Sequence, residues 1–165
     1  MRTFAFCCAV LFSCSVSANR LVLPESHSGE LRQQIQSSWQ QCGESIWCED
    51  DLSYYRDRFV AEASLSQDSL HIELISGYSP ERLGQIQLHL RQDGFSLQHA
   101  QIEGELFEVA KEIKSTSVED ADRSLIVFLN RFPQHAHRTL IWQNGEWRAR
   151  LSSDGELITL TLSQD

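Results

Sequence analysis

The sequence predicts an α+β domain in which helices pack on one face of an antiparallel sheet, tied by one disulfide. Three observations carry that reading. The last third of the chain alternates apolar and polar residues in three runs, Arg138 to Trp142, Glu146 to Leu151 and Leu157 to Leu162. Asn144-Gly145 and Asp154-Gly155 separate them, and such dipeptides supply the positive φ that tight hairpin turns require. Phe59 to Leu65 and Leu70 to Ile75 alternate in the same way around the polar stretch Ser66 to Asp68. Helical spacing appears elsewhere, in Leu31, Ile35 and Trp39 and again in Ala121, Leu125, Phe128, Leu129 and Phe132. The expected order is a helix, about four strands, two helices and a three-stranded meander, the arrangement of an antiparallel sheet covered on one side.

The chain opens with a leader. Arg2 is a positive n-region, Phe4 to Leu11 an uncharged apolar stretch, and Val16-Ser17-Ala18 a run suited to cleavage ahead of Asn19. Residues 1–18 therefore read as a secretory signal peptide and 19–165 as a single domain. The apolar stretch is too short to cross a bilayer, and no second one of spanning length follows. The expected location is periplasmic or secreted, with no transmembrane segment. Leu11-Phe12-Ser13-Cys14 also outlines a lipobox, so a lipid anchor at Cys14 is the alternative processing route.

Glu30 to Gln41 forms the first predicted helix, and Cys42-Gly43-Glu44-Ser45-Ile46-Trp47-Cys48 ends it. Removal of the leader takes Cys7, Cys8 and Cys14 with it, leaving Cys42 and Cys48 as a pair in an oxidising compartment. A disulfide is the simplest outcome, since the spacing is not that of a Cys-x-x-Cys redox motif and no further zinc ligands lie nearby. Asp51 to Arg58 is ambiguous between a helical turn and the approach to a strand. After the two strands at 59–65 and 70–75, Gln85 to Leu90 also alternates and runs into Asp93-Gly94, so a third strand turning into a fourth at Phe95 to Gln98 is expected. A helix from Pro80 to Leu90 is the rival, because Leu83, Ile86 and Leu90 fit a helical stripe. Leu106, Val109, Ala110 and Ile113 mark the second helix. Ser117, followed three residues later by Asp120, caps the third, and Pro133 stops it.

Gly84 to Leu97, continued by Ile102, Leu106 and Ala110, resembles the hairpin–helix core of TonB and TolA C-terminal domains over residues 84–113. That resemblance implies a periplasmic protein-contact module. It does not extend to energy transduction, because the chain has no Pro-rich spacer or membrane anchor of that kind.

The composition narrows the partners. Fourteen Lys and Arg stand against 23 Asp and Glu, a net charge of −9. The arginines are scattered and only two lysines occur, so there is no basic stripe for nucleic acid or an anionic membrane. No nucleophile elbow, Gly-rich phosphate loop or free mature cysteine is present. His135 and His137 lie just before a strand, where they would share a face, but no third ligand is recognisable and Pro133 and Gln134 beside them mark an exposed loop; His89 and His99 read as strand surface. Glu119, Asp120 and Asp122 suit the positive end of a helix dipole, and Glu49-Asp50-Asp51 is the other acidic cluster. Trp142 and Trp147 straddle a turn and can pair across it. The sequence assigns no catalytic residue, metal ligand or cofactor.

The expected function is therefore that of a small exported, non-catalytic protein that contacts another envelope protein. A small-ligand or inhibitor module and a hydrolase without a recognisable motif are the alternatives. Ile46 and Trp47, held at the tip of the disulfide loop, form the expected contact surface; inward packing of Trp47 is the competing expectation.

Overall fold

A computed structural model describes residues 19–23 and 28–164. The expected signal peptide and Cys14 lie outside the described residues. The described chain runs β1 (Arg20–Leu21), α1 (Ser28–Ser38), β2 (Gln40–Gly43), β3 (Ile46–Tyr54), β4 (Asp57–Leu65), β5 (Leu70–Gly77), α2 (Pro80–Gln92), β6 (Ser96–Ile102), β7 (Glu105–Glu108), α3 (Val109–Ser115), α4 (Val118–Asn130), β8 (Arg138–Asn144), β9 (Trp147–Ser153) and β10 (Leu157–Gln164). Mixed helices and strands and the Cys42–Cys48 bond are as expected, but the protein is richer in strand than the sequence suggested. Ten strands form one sheet, in the order β1-β3-β4-β5-β10-β9-β8-β6-β7, with β2 also paired to β3. All pairings are antiparallel except β1 with β3.

The C-terminal strand β10 lies between β5 and β9, so the chain's end joins the N-terminal meander to the C-terminal one. That single strand makes one sheet out of two hairpin sets. Inward residues of the sheet, among them Leu52, Phe59, Ile72, Leu74, Leu140, Leu151, Leu160 and Leu162, form one buried cluster with Leu31, Ile35 and Trp39 from the α1 region. Leu83, Ile86 and Leu90 of α2 and Phe128 of α4 join the same cluster. The helices that bury apolar residues in that cluster therefore do so against one face of the sheet. The opposite face alternates with it residue by residue, as strand geometry demands.

Residues 85–90 are not a strand. Ser79 caps a helix there, its Oγ accepting from the Arg82 N–H at 3.1 Å, and Pro80 sits in the first turn, where a missing N–H costs nothing. Burial decides between the two periodicities. Leu83, Ile86, His89 and Leu90 are buried at helical spacing, whereas Leu88, which a strand would turn inward with Ile86 and Leu90, is 47% exposed.

Asp93-Gly94 is accordingly a helix terminus and not a hairpin turn. The Phe95 N–H donates to the Leu90 carbonyl (2.9 Å) and the Gly94 N–H to that of Arg91 (3.1 Å), with Gly94 at φ +81°. That is a Schellman ending, in which glycine takes the left-handed position. The same dipeptide chemistry serves both structures, because both need a positive φ.

Residues 105–108 pair with β6 before α3 begins, so the second expected helix is shorter than its apolar spacing implied. The ambiguous segment 51–58 closes the β3–β4 hairpin, with Tyr55 at φ +55° in the turn. The third expected helix is present as α4, where the Ser117 Oγ accepts from the Asp120 N–H at 3.1 Å. Trp142 and Trp147 both face the core, but they are not opposite each other. Trp142 pairs with Ala149 and Trp147 with Asn144.

Candidate functional site

The uncovered face of the sheet is the most distinctive surface of the protein. Cross-strand register fixes its rows. One row runs Glu62, Glu73, Thr161, Arg150, Ile141, His99 across β4, β5, β10, β9, β8 and β6. A second runs Ser64, His71, Ser163, Arg148, Gln143, and a third Val60, Ile75, Thr159, Ser152, Thr139. A shallow basin of about 600 Å³ lies over the middle of these rows, lined by His71, Glu73, Ile141, Arg148, Arg150 and the hydroxyl residues between them.

The charges there are sorted by strand. Arg148 and Arg150 stand two residues apart on β9, both exposed. Glu62 and Glu73 face each other on β4 and β5. The hydroxyl column Thr159, Thr161 and Ser163 of β10 separates the two pairs. The four ion pairs among the described residues engage Arg58, Arg82, Arg123 and Arg131. Arg91 lies over the Trp142 ring, and Arg138 donates to the Pro133 carbonyl at 2.6 Å. Arg148 and Arg150 take part in none of these contacts. Ile141, next to Arg150 in register, is 7% exposed although it belongs to the outer row and not to the core cluster.

A second cluster joins three elements at the end of α2. Asp93 accepts hydrogen bonds from both Tyr54 (2.7 Å) and Tyr55, while the Asn144 side chain donates to the Asp93 backbone carbonyl at 2.7 Å. His89 stacks on the Tyr55 ring with centroids 3.9 Å apart. Burial and the Asp93 carboxylate together push the Tyr54 hydroxyl well above its ordinary pKa, and the same causes raise Tyr55 to about 12. Both phenols therefore stay protonated at neutral pH and serve as donors. The cluster fixes the β3–β4 turn and the β8–β9 turn to the helix end. His89 is thus a buried helical residue, contrary to its expected place on a strand surface.

Beside this cluster is a hollow of about 380 Å³ lined by Leu23, Asp93, Phe95, Asn144 and Trp147. The Trp147 Nε1 is buried without a hydrogen-bond partner among the described residues.

The Cys42–Cys48 bond, with Cα atoms 5.9 Å apart, staples the β2–β3 hairpin and not an irregular loop. Trp47 opposes Ala63, an inward residue, and packs half-buried against the core. Ile46 opposes Ser64 and belongs to the outer face. Consecutive strand residues point to opposite sides, so the hairpin does not present Ile46 and Trp47 as one apolar tip.

His99 lies on the outer face of β6, while exposed His135 and His137 lie just before β8. Among the described residues, no three His, Cys, Asp or Glu side chains converge in a metal-binding arrangement. Glu119 and Asp120 occupy the first turn of α4, and Glu49 to Asp51 interrupt the β3–β4 register.

Sequence reasoning passed over Arg148 and Arg150 because two arginines in a 165-residue chain form no cluster by count. The alternation Trp147-Arg148-Ala149-Arg150-Leu151 does place both on the outer face, and that was the available signal. No family model, curated protein or solved structure matches this chain.

Proposed function

We propose that this is an exported, non-catalytic protein-contact module that docks another envelope protein on the open face of its sheet. The observation that supports it best is the unequal treatment of the two faces. Helices bury one, while the other carries two exposed arginines at its centre without an ion pair among the described residues. Interior strands have already spent their backbone hydrogen bonds on neighbours, so such a face recognises a partner through side chains. The leader-like residues 1–18 and the Cys42–Cys48 bond support work outside the cytoplasm, in the periplasm or as a secreted protein.

The test compares two surface variants for capture of partners from envelope extract. Thr161→Tyr crowds the outer face at mid-sheet without changing its charge, and Val127→Asp alters α4, where Val127 is 68% exposed. The proposal expects Thr161→Tyr to abolish specific capture and Val127→Asp to leave it intact; the reverse pattern defeats it.

A second reading is a small-ligand module. The 380 Å³ hollow beside Trp147 and Asn144 favours it, since the Trp147 Nε1 is a buried donor still lacking an acceptor. A Trp147 fluorescence change on adding a candidate ligand, lost in Asn144→Ala, would select this reading over the first.

A further inference from the structure

We propose that the segment docked on the open face is an extended stretch of the partner protein carrying acidic side chains at alternate positions, held by Arg148 and Arg150. This rests on the protein-contact reading above and specifies the chemistry of its partner.

Spacing supports it first. Residues i and i+2 of a strand lie roughly 6.6–6.8 Å apart on one face, and an extended peptide places its own alternate side chains at the same interval. Arg148 and Arg150 have that relation on β9, so two carboxylates from an extended segment lying along β9 meet two guanidinium groups in step. Each guanidinium is a planar fork suited to a carboxylate.

Charge complementarity is the second argument. The net charge of −9 opposes an acidic partner at long range, so the complementarity is local. Arg32, Arg58, Arg82, Arg91, Arg123, Arg131 and Arg138 are engaged by acidic side chains, backbone carbonyls or aromatic rings, and Arg20 and Arg56 lie outside the middle of the sheet. Arg148 and Arg150 are held mid-sheet with no such contact. Glu73 stands only two strands away, yet no ion pair joins it to either arginine.

The surroundings suit the same ligand. Thr161 and Ser163 on β10 offer hydroxyl donors around a bound carboxylate. Ile141 gives Arg150 an apolar neighbour along which its stem can lie. The facing pair Glu62 and Glu73 repels acid on the other side of β10, which confines an acidic segment to the β8–β9 half of the face. The chain's own first 18 residues cannot serve as the occupant's acidic group, since they contain no Asp or Glu.

Two synthetic seven-residue peptides of one composition test this with the disulfide-bonded, ¹⁵N-labelled protein. Thr-Thr-Glu-Thr-Glu-Thr-Thr places its acids alternately, and Thr-Thr-Glu-Glu-Thr-Thr-Thr places them side by side. The expected result is that the first peptide shifts amide signals of 139–143, 148–152 and 159–163 and binds more tightly than the second. Arg148→Gln with Arg150→Gln is expected to weaken it roughly tenfold and Glu73→Gln to tighten it about twofold. A dispersed amide spectrum confirms that each variant is folded.

Equal binding of the two peptides, displacement by inorganic phosphate at equal concentration, shifts confined to the helical face, or no shift at millimolar peptide would each overturn the proposal. So would self-association of the protein that is lost in the double arginine variant, because a second copy is then the occupant. If the peptides fail while Thr161→Tyr still abolishes partner capture, the acidic-segment inference falls and the protein-contact reading stands.

Discussion

Asp93→Ala should destabilise the protein through two tyrosines that lie nearly forty residues away in sequence. Tyr54 is 1% exposed, and its hydroxyl donates to the Asp93 carboxylate at 2.7 Å. Removing the acceptor strands a buried donor, which costs about 1–3 kcal/mol. Tyr55 is half-buried, so water replaces part of its lost bond and about 0.5–1.5 kcal/mol is the appropriate range. The sum, roughly 2–4 kcal/mol, corresponds to a fall in Tm of about 5–15 °C for a domain of this size. The backbone bonds that end α2 come from residues on either side and do not need the carboxylate. Urea denaturation at neutral pH gives the loss directly. Tyr54→Phe in the same background identifies its source, because the two substitutions share one bond and their effects should fall short of additivity by about 1 kcal/mol. An Asp93→Ala cost below about 0.5 kcal/mol, or strict additivity with Tyr54→Phe, would refute the tie.

Alkali should weaken the same cluster. The folded protein holds Tyr55 at about 12, above the ordinary 10.0, and Tyr54 is raised in the same direction. Their contribution is complete below pH 10; above it Tyr55's is lost as pH rises toward 12 and Tyr54's, which is raised further, declines without being exhausted, so the urea midpoint should fall across that window and should do so less in Asp93→Ala. Reducing Cys42–Cys48 should cost about 2 kcal/mol, as the closure entropy of a short loop implies, and should not shift the outer-face amide signals far from β2–β3. Trp47→Ala should destabilise by roughly 2–3 kcal/mol through lost packing and leave partner capture by the folded fraction unchanged; a stable variant that fails to capture would restore the hairpin tip as the contact.

The sequence was most legible where one periodicity and one turn chemistry agreed. The C-terminal meander, β4, β5 and the Ser117 cap all satisfy that condition, and each forms as expected. The first helix forms but ends at Ser38, because Gln40 and Gln41, expected within it, pair with β3 as strand β2. Residues 85–90 satisfy period two and period 3.6 together, and Asp93-Gly94 suits both a hairpin and a helix ending. The burial of Leu83 and His89 and the exposure of Leu88 separate the two, and those depend on tertiary packing. The short strands β1, β2 and β7 have too few residues to show alternation at all. The Tyr54–Asp93 tie could not be read from sequence because it joins a hairpin turn to a helix end across 39 positions. The alternation around Arg148 and Arg150 carries their outward placement, but nothing in the sequence marks them as a pair without a partner. Their lack of any ion pair among the described residues, in contrast to Arg58, Arg82, Arg123 and Arg131, is a property of the folded structure.

Docking on the open face is tested most directly by site-specific photo-crosslinking in envelope extract. A photoreactive residue at Thr139, in the outer row beside Ser152, reports on the open face without crowding its centre, and one at Ser124 reports on α4. Position 139 is expected to give a discrete protein adduct that disappears when Arg148 and Arg150 are replaced by Gln, with no matching adduct from position 124. An adduct from position 124 alone, or one from 139 that survives loss of both arginines, contradicts docking through these arginines.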